Sequence, residues 1–161
     1  MNHMSIGIIG IMKAVKEIRN RDYKTVMRIW MPEINENKVN SILNLAAKKG
    51  MNPINVSLVH NPTADEIINS GDKYPEPTPI KLESLKSVDG LMDDDRINII
   101  IFKDYDLAGD LVQKTVLDAL NNHGFTPGAW PDKTILFMLD KRKKTGRLLI
   151  DLPTETIPAA V

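Results

Sequence analysis

The sequence predicts an α/β fold, a mostly parallel sheet with helices on both faces, and three observations carry that expectation. Apolar residues recur at helical spacing in several segments, and β-branched runs stand between those segments. One run, Ile97 to Phe102, is apolar almost without a break. A strand that is apolar on both sides needs cover on both sides, which a helix-flanked parallel sheet provides. Strands that alternate with helices pair in parallel through right-handed crossovers.

The elements follow in chain order. Ile8, Ile11, Met12, Val15 and Ile18 share one face of a helix, and Lys13, Lys16, Glu17 and Arg19 take the other. Thr25 to Trp30 is rich in β-branched and aromatic residues and ends before Pro32, which reads as a strand. Val39, Ile42, Leu43 and Ala46 give a second helix, closed by Gly50. Ile54, Val56 and Leu58 alternate as a strand. Thr63-Ala64-Asp65-Glu66 has the form of a capping box and predicts a short helix over Ile67 and Ile68. Gly71 to Pro79 contains three prolines and reads as a loop. A weak helix over Leu82 to Val88 ends near Gly90, and Asp93-Asp94-Asp95 is a solvated turn.

After the Ile97–Phe102 strand, Ala108, Leu111, Val112, Val116, Ala119 and Leu120 form an amphipathic helix stopped by Gly124. Pro127 to Pro131 is a turn, Thr134 to Leu139 a buried strand, and Leu148 to Ile150 a short last one. The Ile97–Phe102 strand is expected in the sheet interior, between those at Thr25–Trp30 and Thr134–Leu139. Residues 1–161 read as one domain, with an α/β core at 8–153 and a tail at 154–161. Ligands in such sheets sit beyond the carboxyl ends of the strands. The segments of interest are therefore Met31 to Asn40, Lys103 to Ala108 and Asp140 to Gly146.

Bulk properties exclude several classes. Lys+Arg and Asp+Glu each number 21, which argues against a nucleic-acid binder acting through a general basic field. The chain has no cysteine, which removes disulfides, thiolate metal sites and cysteine nucleophiles. The apolar start lacks a basic leader and is interrupted by Lys13 and Lys16, and no stretch approaches the ~18–20 apolar residues of a membrane span. The expectation is a cytoplasmic protein without a membrane segment.

Several phrases carry a family resemblance. Val26-Met27-Arg28-Ile29-Trp30 precedes a proline-containing loop. Ile101-Phe102-Lys103-Asp104 is followed by Asp106-Leu107-Ala108, the helix Val112 to Leu120, and the turn Gly128-Ala129-Trp130-Pro131. In this order of elements the chain resembles the AAA+ ATPase core of the MoxR type. The resemblance implies a three-layer P-loop-NTPase-like sheet, assembly with like subunits, and a nucleotide site.

The site residues that the resemblance calls for are not preserved. A phosphate loop needs glycines whose amides wrap the phosphates, a lysine and a hydroxyl. Here Met31 and Glu36 fill the glycine positions, Asn37 the lysine position, and Lys38 the hydroxyl position. Glu33 and Glu36 bring negative charge toward a polyphosphate. After the next buried strand Asp104 fits a magnesium ligand, but Tyr105 replaces the glutamate that polarises water. Asp140 takes the polar position after the following strand. The chain also ends at Val161, before the helical lid such ATPases carry. No catalytic residue, no cofactor and no nucleotide hydrolysis are expected.

Other residues leave two further readings open. Asp104, Asp106 and Asp140 are candidates for a divalent cation or a phosphorylated ligand in a small enzyme, although Asp106 also stands where it would cap the following helix. Lys141, Arg142, Lys143 and Lys144 form a basic cluster suited to an acidic partner or to nucleic acid, or simply to a solvated turn. His3, His60 and His123 lack ligand spacing, and Ser41, Ser57 and Ser70 lack a nucleophile context. Trp30 and Trp130 read as packing residues. Tyr74, in the proline-rich loop, is the candidate anchor for a protein partner. The leading expectation is a catalytically inactive AAA+-like domain acting by protein contact, with itself or with another ATPase-like subunit.

Overall fold

The computed structural model describes residues 12, 15, 16, 18–20, 23–71, 73, 75–143, 149–151 and 157–158, with backbone alone at 23–25, 149–151 and 157–158. Five strands build the main sheet: β1 (Tyr23–Met31), β2 (Asn52–Ser57), β5 (Asn98–Lys103), β6 (Lys133–Leu139) and β7 (Leu149–Asp151). Their spatial order is β2-β5-β6-β1-β7, and a short β8 (Ile157–Pro158) also pairs with β1. β2, β5, β6 and β1 run parallel, whereas β7 and β8 are antiparallel to β1. The link from Leu139 to Leu149 is too short for a crossover, so the chain turns at one sheet end and comes back beside β1.

The fold is thus α/β and mostly parallel, and β5 is interior as expected. Its neighbours differ from the expectation. β5 lies between β2 and β6, and β6 separates it from β1. Hydrophobic runs mark a strand as buried on both faces but do not encode which strand lies beside it. A second departure is a small ribbon in which β3 (Val59–His60) pairs with β4 (Thr78–Pro79), so the proline-rich segment ends in a strand. The rest of that loop includes Tyr74, which lies outside the described residues.

Side-chain alternation along each strand divides the core into two layers. One layer packs Met27, Ile29, Met31, Ile99, Ile101, Ile135, Phe137 and Leu139 against Val39, Ile42 and Ala46 of α1 (Glu36–Lys48) and against Val15 and Ile18. The other packs Val26, Ile100, Phe102, Leu136 and Met138 against Val112, Val116, Ala119 and Leu120 of α4 (Gly109–Asn122). Leu85 of α3 (Leu82–Lys86) and Val88 of the following 3-10 turn complete that second layer. Helices therefore cover both faces.

Local chemistry sets the ends of these elements. The Asn35 side chain accepts the Lys38 N–H at 2.9 Å and opens α1, and Gly50 follows it at φ 82°. Thr63 caps α2 (Ala64–Asn69) by accepting the Glu66 N–H at 3.2 Å. The Glu66 carboxylate in turn interacts with the Thr63 backbone, the reciprocal half of the box, and also pairs with His60 at 3.2 Å. α4 ends in a left-handed His123, and Gly124 after it cannot be replaced freely: an added Cβ would stand 2.5 Å from the Thr126 carbonyl oxygen.

The turn after α4 is held from a distance by Asp89. One oxygen of its carboxylate accepts the Phe125 N–H at 3.0 Å and the Trp130 indole N–H at 2.8 Å, and the other accepts the Thr126 N–H at 2.7 Å. Trp130 is thereby buried with its one polar atom satisfied. Among the described residues no helix is long and apolar enough to cross a membrane.

Candidate functional site

The carboxyl ends of β1, β5 and β6 meet at one edge of the sheet, so the loops that follow them are neighbours. β1 delivers Pro32 and Ile34 into the interior and leaves Glu33 between them, half-buried. β5 delivers Asp104 in a left-handed conformation at φ 62°, a shape that aspartate tolerates better than most residues. That turn aims the Asp104 N–H at the Glu33 carboxylate, 3.1 Å away, and joins the two loops. Alongside, the Lys103 ammonium pairs with Glu36 at 2.8 Å.

The electrostatics of this edge are crowded with negative charge. Burial, with the nearby Asp104 and then Asp106 carboxylates, raises the Glu33 pKa from 4.5 to about 7. Burial also raises Asp104, against the opposing pull of Lys103. Burial acts likewise on Asp140, but the Arg142 hydrogen bonds outweigh it and hold Asp140 below its ordinary value. The Arg142 guanidinium clamps Asp140 through Nε at 3.0 Å and a terminal nitrogen at 2.7 Å, and its backbone N–H adds a third bond at 2.8 Å.

These bonds decide what the sequence candidates do. Asp140, almost wholly buried, is committed to Arg142. Asp106 accepts the Lys141 N–H at 3.1 Å and does not cap α4, whose N-cap is Ala108. The 3-10 turn Tyr105–Leu107 stands between Asp104 and α4, which moves Asp106 off the capping position. Among the described residues there is no group of three or more histidine or carboxylate side chains able to hold a metal ion. The three aspartates thus share one end of the sheet without converging on a cation.

The phosphate-loop positions are equally occupied. Met31 is buried in the core, Glu36 is paired with Lys103, Asn37 is exposed, and Lys38 gives its backbone N–H to the Asn35 cap. Tyr105 is buried edge-on against Trp30, ring centroids 5.0 Å apart, and burial raises its pKa. In the basic cluster, Lys143 lies 4.9 Å over the Trp30 ring, Arg142 holds Asp140, and Lys141 is exposed. Lys144 lies outside the described residues. Two of the three described cations of that cluster are thus engaged within the chain.

Ser41 donates to the Asn37 carbonyl at 3.0 Å and Ser70 to that of Ile67 at 2.7 Å, both local. Ser57 donates to that of Val59 at 2.8 Å and also interacts with the Asp104 carboxylate, whose pKa it lowers. His60 pairs with Glu66, His123 is buried, and His3 lies outside the described residues. The Glu33–Asp104 clasp is the feature that sequence reasoning missed. Glu33 reads there only as a charge hostile to phosphate, since a bond spanning 71 positions leaves no local pattern.

The sequence matches no protein-family model, and no curated protein or solved structure is significantly similar to it.

The raised Glu33 pKa makes a prediction. Between pH 4.5 and about 7 the folded state holds a proton on Glu33 that the unfolded state does not, so stability falls as pH rises through that window. Glu33→Gln keeps the acceptor for Asp104 and removes the charge. It is expected to stabilise the protein at pH 8 by about 1–2 kcal/mol after discounting for solvent screening, and to leave stability nearly unchanged at a pH of about 4, below both values. Urea unfolding of both proteins at the two pH values measures this; an equal shift at both would show that Glu33 titrates normally.

Proposed function

We propose that this chain is a non-hydrolysing, P-loop-like α/β domain that works by contact with protein, either a second copy of itself or a subunit of an ATPase-like assembly. The strand order supports the relation to an ATPase core. The positions for a phosphate loop, a metal-binding aspartate and a third polar residue follow β1, β5 and β6, which place them together at one edge with β6 in the middle. The antiparallel β7 is a departure from a fully parallel core.

One observation carries the loss of hydrolysis. Where backbone amides would face phosphate oxygens, the Glu33 carboxylate already takes the Asp104 N–H, and further carboxylates surround it. A polyphosphate brought there would meet the Asp104 and Asp106 carboxylates in place of donors, joined by Glu33 as it loses its proton near pH 7. With magnesium present, ATP and GTP are therefore expected to give no thermal shift and no phosphate release. A magnesium-dependent turnover that disappears in Asp104→Ala would falsify this reading.

A second reading is favoured by the Glu33 pKa of about 7, which suits a general base or acid at neutral pH. In that case the chain is a small enzyme using Glu33 and Asp104 on a neutral or cationic substrate. Activity against such a substrate would follow the Glu33 titration and vanish in Glu33→Gln. The contact reading expects Glu33→Gln to alter stability alone.

A further inference from the structure

The opposite edge of the sheet, where the parallel strands begin, carries charges of both signs in two separate hollows. The first, about 460 Å³, is lined by Met12, Val15, Lys16, Arg19, Asn20 and Lys49. Its described lining contains three cations and no carboxylate. The second, about 230 Å³, is lined by Asp94, Asp95, Arg96, Ile97, Pro131, Asp132 and Lys133. Its Arg96 is neutralised by Asp93 at 2.7 Å, and Lys133 reaches toward the Arg19 carbonyl oxygen at 3.4 Å. That last contact fixes the two hollows side by side.

Among the described residues, this edge carries three exposed charges of each sign outside any ion pair. Lys16, Arg19 and Lys49 are exposed, and among the described residues none of them has a carboxylate partner. Asp94, Asp95 and Asp132 are exposed, and likewise have no cationic partner. A surface of this kind is self-complementary: a two-fold rotation lays the basic hollow of one copy on the acidic hollow of the other, twice over. The formal net charge of zero means that long-range repulsion does not oppose the approach. Met12, 57% exposed at the rim of the basic hollow, supplies an apolar side chain for the centre of such a contact. Lys49, at the C-cap of α1, also compensates the helix dipole.

We propose that this edge is a two-fold contact between two copies of the chain, held by Lys16, Arg19 and Lys49 of each copy against Asp94, Asp95 and Asp132 of the other. The proposal rests on the reading that the protein acts by contact, and it names the partner and the surface. It leaves the carboxyl-end edge of the sheet, with Glu33 and Asp104, facing outward on both copies.

Charge reversal tests it. The full-length chain is measured by sedimentation at low and high salt as wild type, as Lys16→Glu/Lys49→Glu and as Asp94→Lys/Asp95→Lys, with circular dichroism confirming the fold. Lys16→Gln/Lys49→Gln serves as a milder pair. The wild type is expected to dimerise, more weakly as salt rises. Each reversed variant alone brings like charges together and is expected to lose at least ~tenfold in self-affinity. Mixing the two reversed variants opposes a mainly acidic edge, which keeps Arg19, to a mainly basic one, which keeps Asp132, and a 1:1 complex should return. A wild-type dimer indifferent to both reversals overturns this proposal and leaves the contact reading standing. A monomeric wild type overturns it as well, and if inorganic phosphate then perturbs Lys16, Arg19 and Lys49 in an NMR titration, the basic hollow is an anion site.

Discussion

Replacing Phe137 with alanine is expected to cost about 4 kcal/mol of folding stability, the largest loss of any single change considered for this protein. Phe137 is fully buried in β6, and its in-register neighbours are Ile29 of β1 and Ile101 of β5. All three point into the layer that α1 covers. Deleting the ring removes apolar surface from the middle of a parallel sheet, where strands on both sides hold the backbone and prevent collapse into the cavity. For a chain of this length each kcal/mol corresponds to roughly 2–4 °C, so the melting temperature should fall by roughly 8–16 °C. Phe137→Leu, which keeps most of the volume, should lose less than half as much. Thermal and urea unfolding of the two variants measure the difference, and a loss below about 1 kcal/mol for alanine would show that Phe137 does not occupy the sheet centre.

The second large effect comes from a side chain that looks ordinary in the sequence. Asp89→Ala removes one carboxylate and leaves three N–H donors without their acceptor. The Trp130 indole N–H is the costly one, because its ring is buried and water does not readily replace the lost partner. Bonds to a charged acceptor are worth about 1.5–3 kcal/mol, and a stranded buried donor costs a similar amount, so a total near 3 kcal/mol is expected. The loss should be accompanied by a change in tryptophan fluorescence, since Trp130 touches Phe125 edge-on at 5.8 Å in the turn that Asp89 holds. Asp89→Asn retains an acceptor oxygen and should fall between the wild type and alanine. If Asp89→Ala is as stable as the wild type, the turn is held by its own backbone bonds alone.

These two residues show what was legible in the sequence. Phe137 stands in an unbroken apolar run, and such runs disclosed the strands and the two-sided burial of β5 and β6. Two helix ends were legible too, because Thr63 and Gly50 act on residues within four positions of themselves; the Asn35 cap, although equally local, was not read. Asp89 was not, as its partners lie 36 to 41 positions away and a carboxylate in a turn looks solvated. The same separation hid the Glu33–Asp104 clasp and the placement of β6 between β5 and β1. At the carboxyl-end edge, residue types alone excluded a glycine-rich phosphate cradle. They left open whether Asp104, Asp106 and Asp140 converge, because that depends on the Arg142 clamp and on the 3-10 turn that moves Asp106 away from the start of α4.

The parallel partner of β1 has a consequence for how the protein is made. Thr25 pairs with Lys133, so 108 residues separate the two sides of that ladder. On the other side β1 is flanked by β7 and β8, which come later still. A ribosome adding ~5–20 residues per second therefore leaves β1 without a neighbouring strand for roughly 5–20 s. During that interval Met27, Ile29 and Met31 have only α1 and the preceding helical segment to shield them. The nascent chain is thus most prone to misassociation before β6 emerges, and a chaperone that covers β1 until then would act at the slowest and least local step of folding.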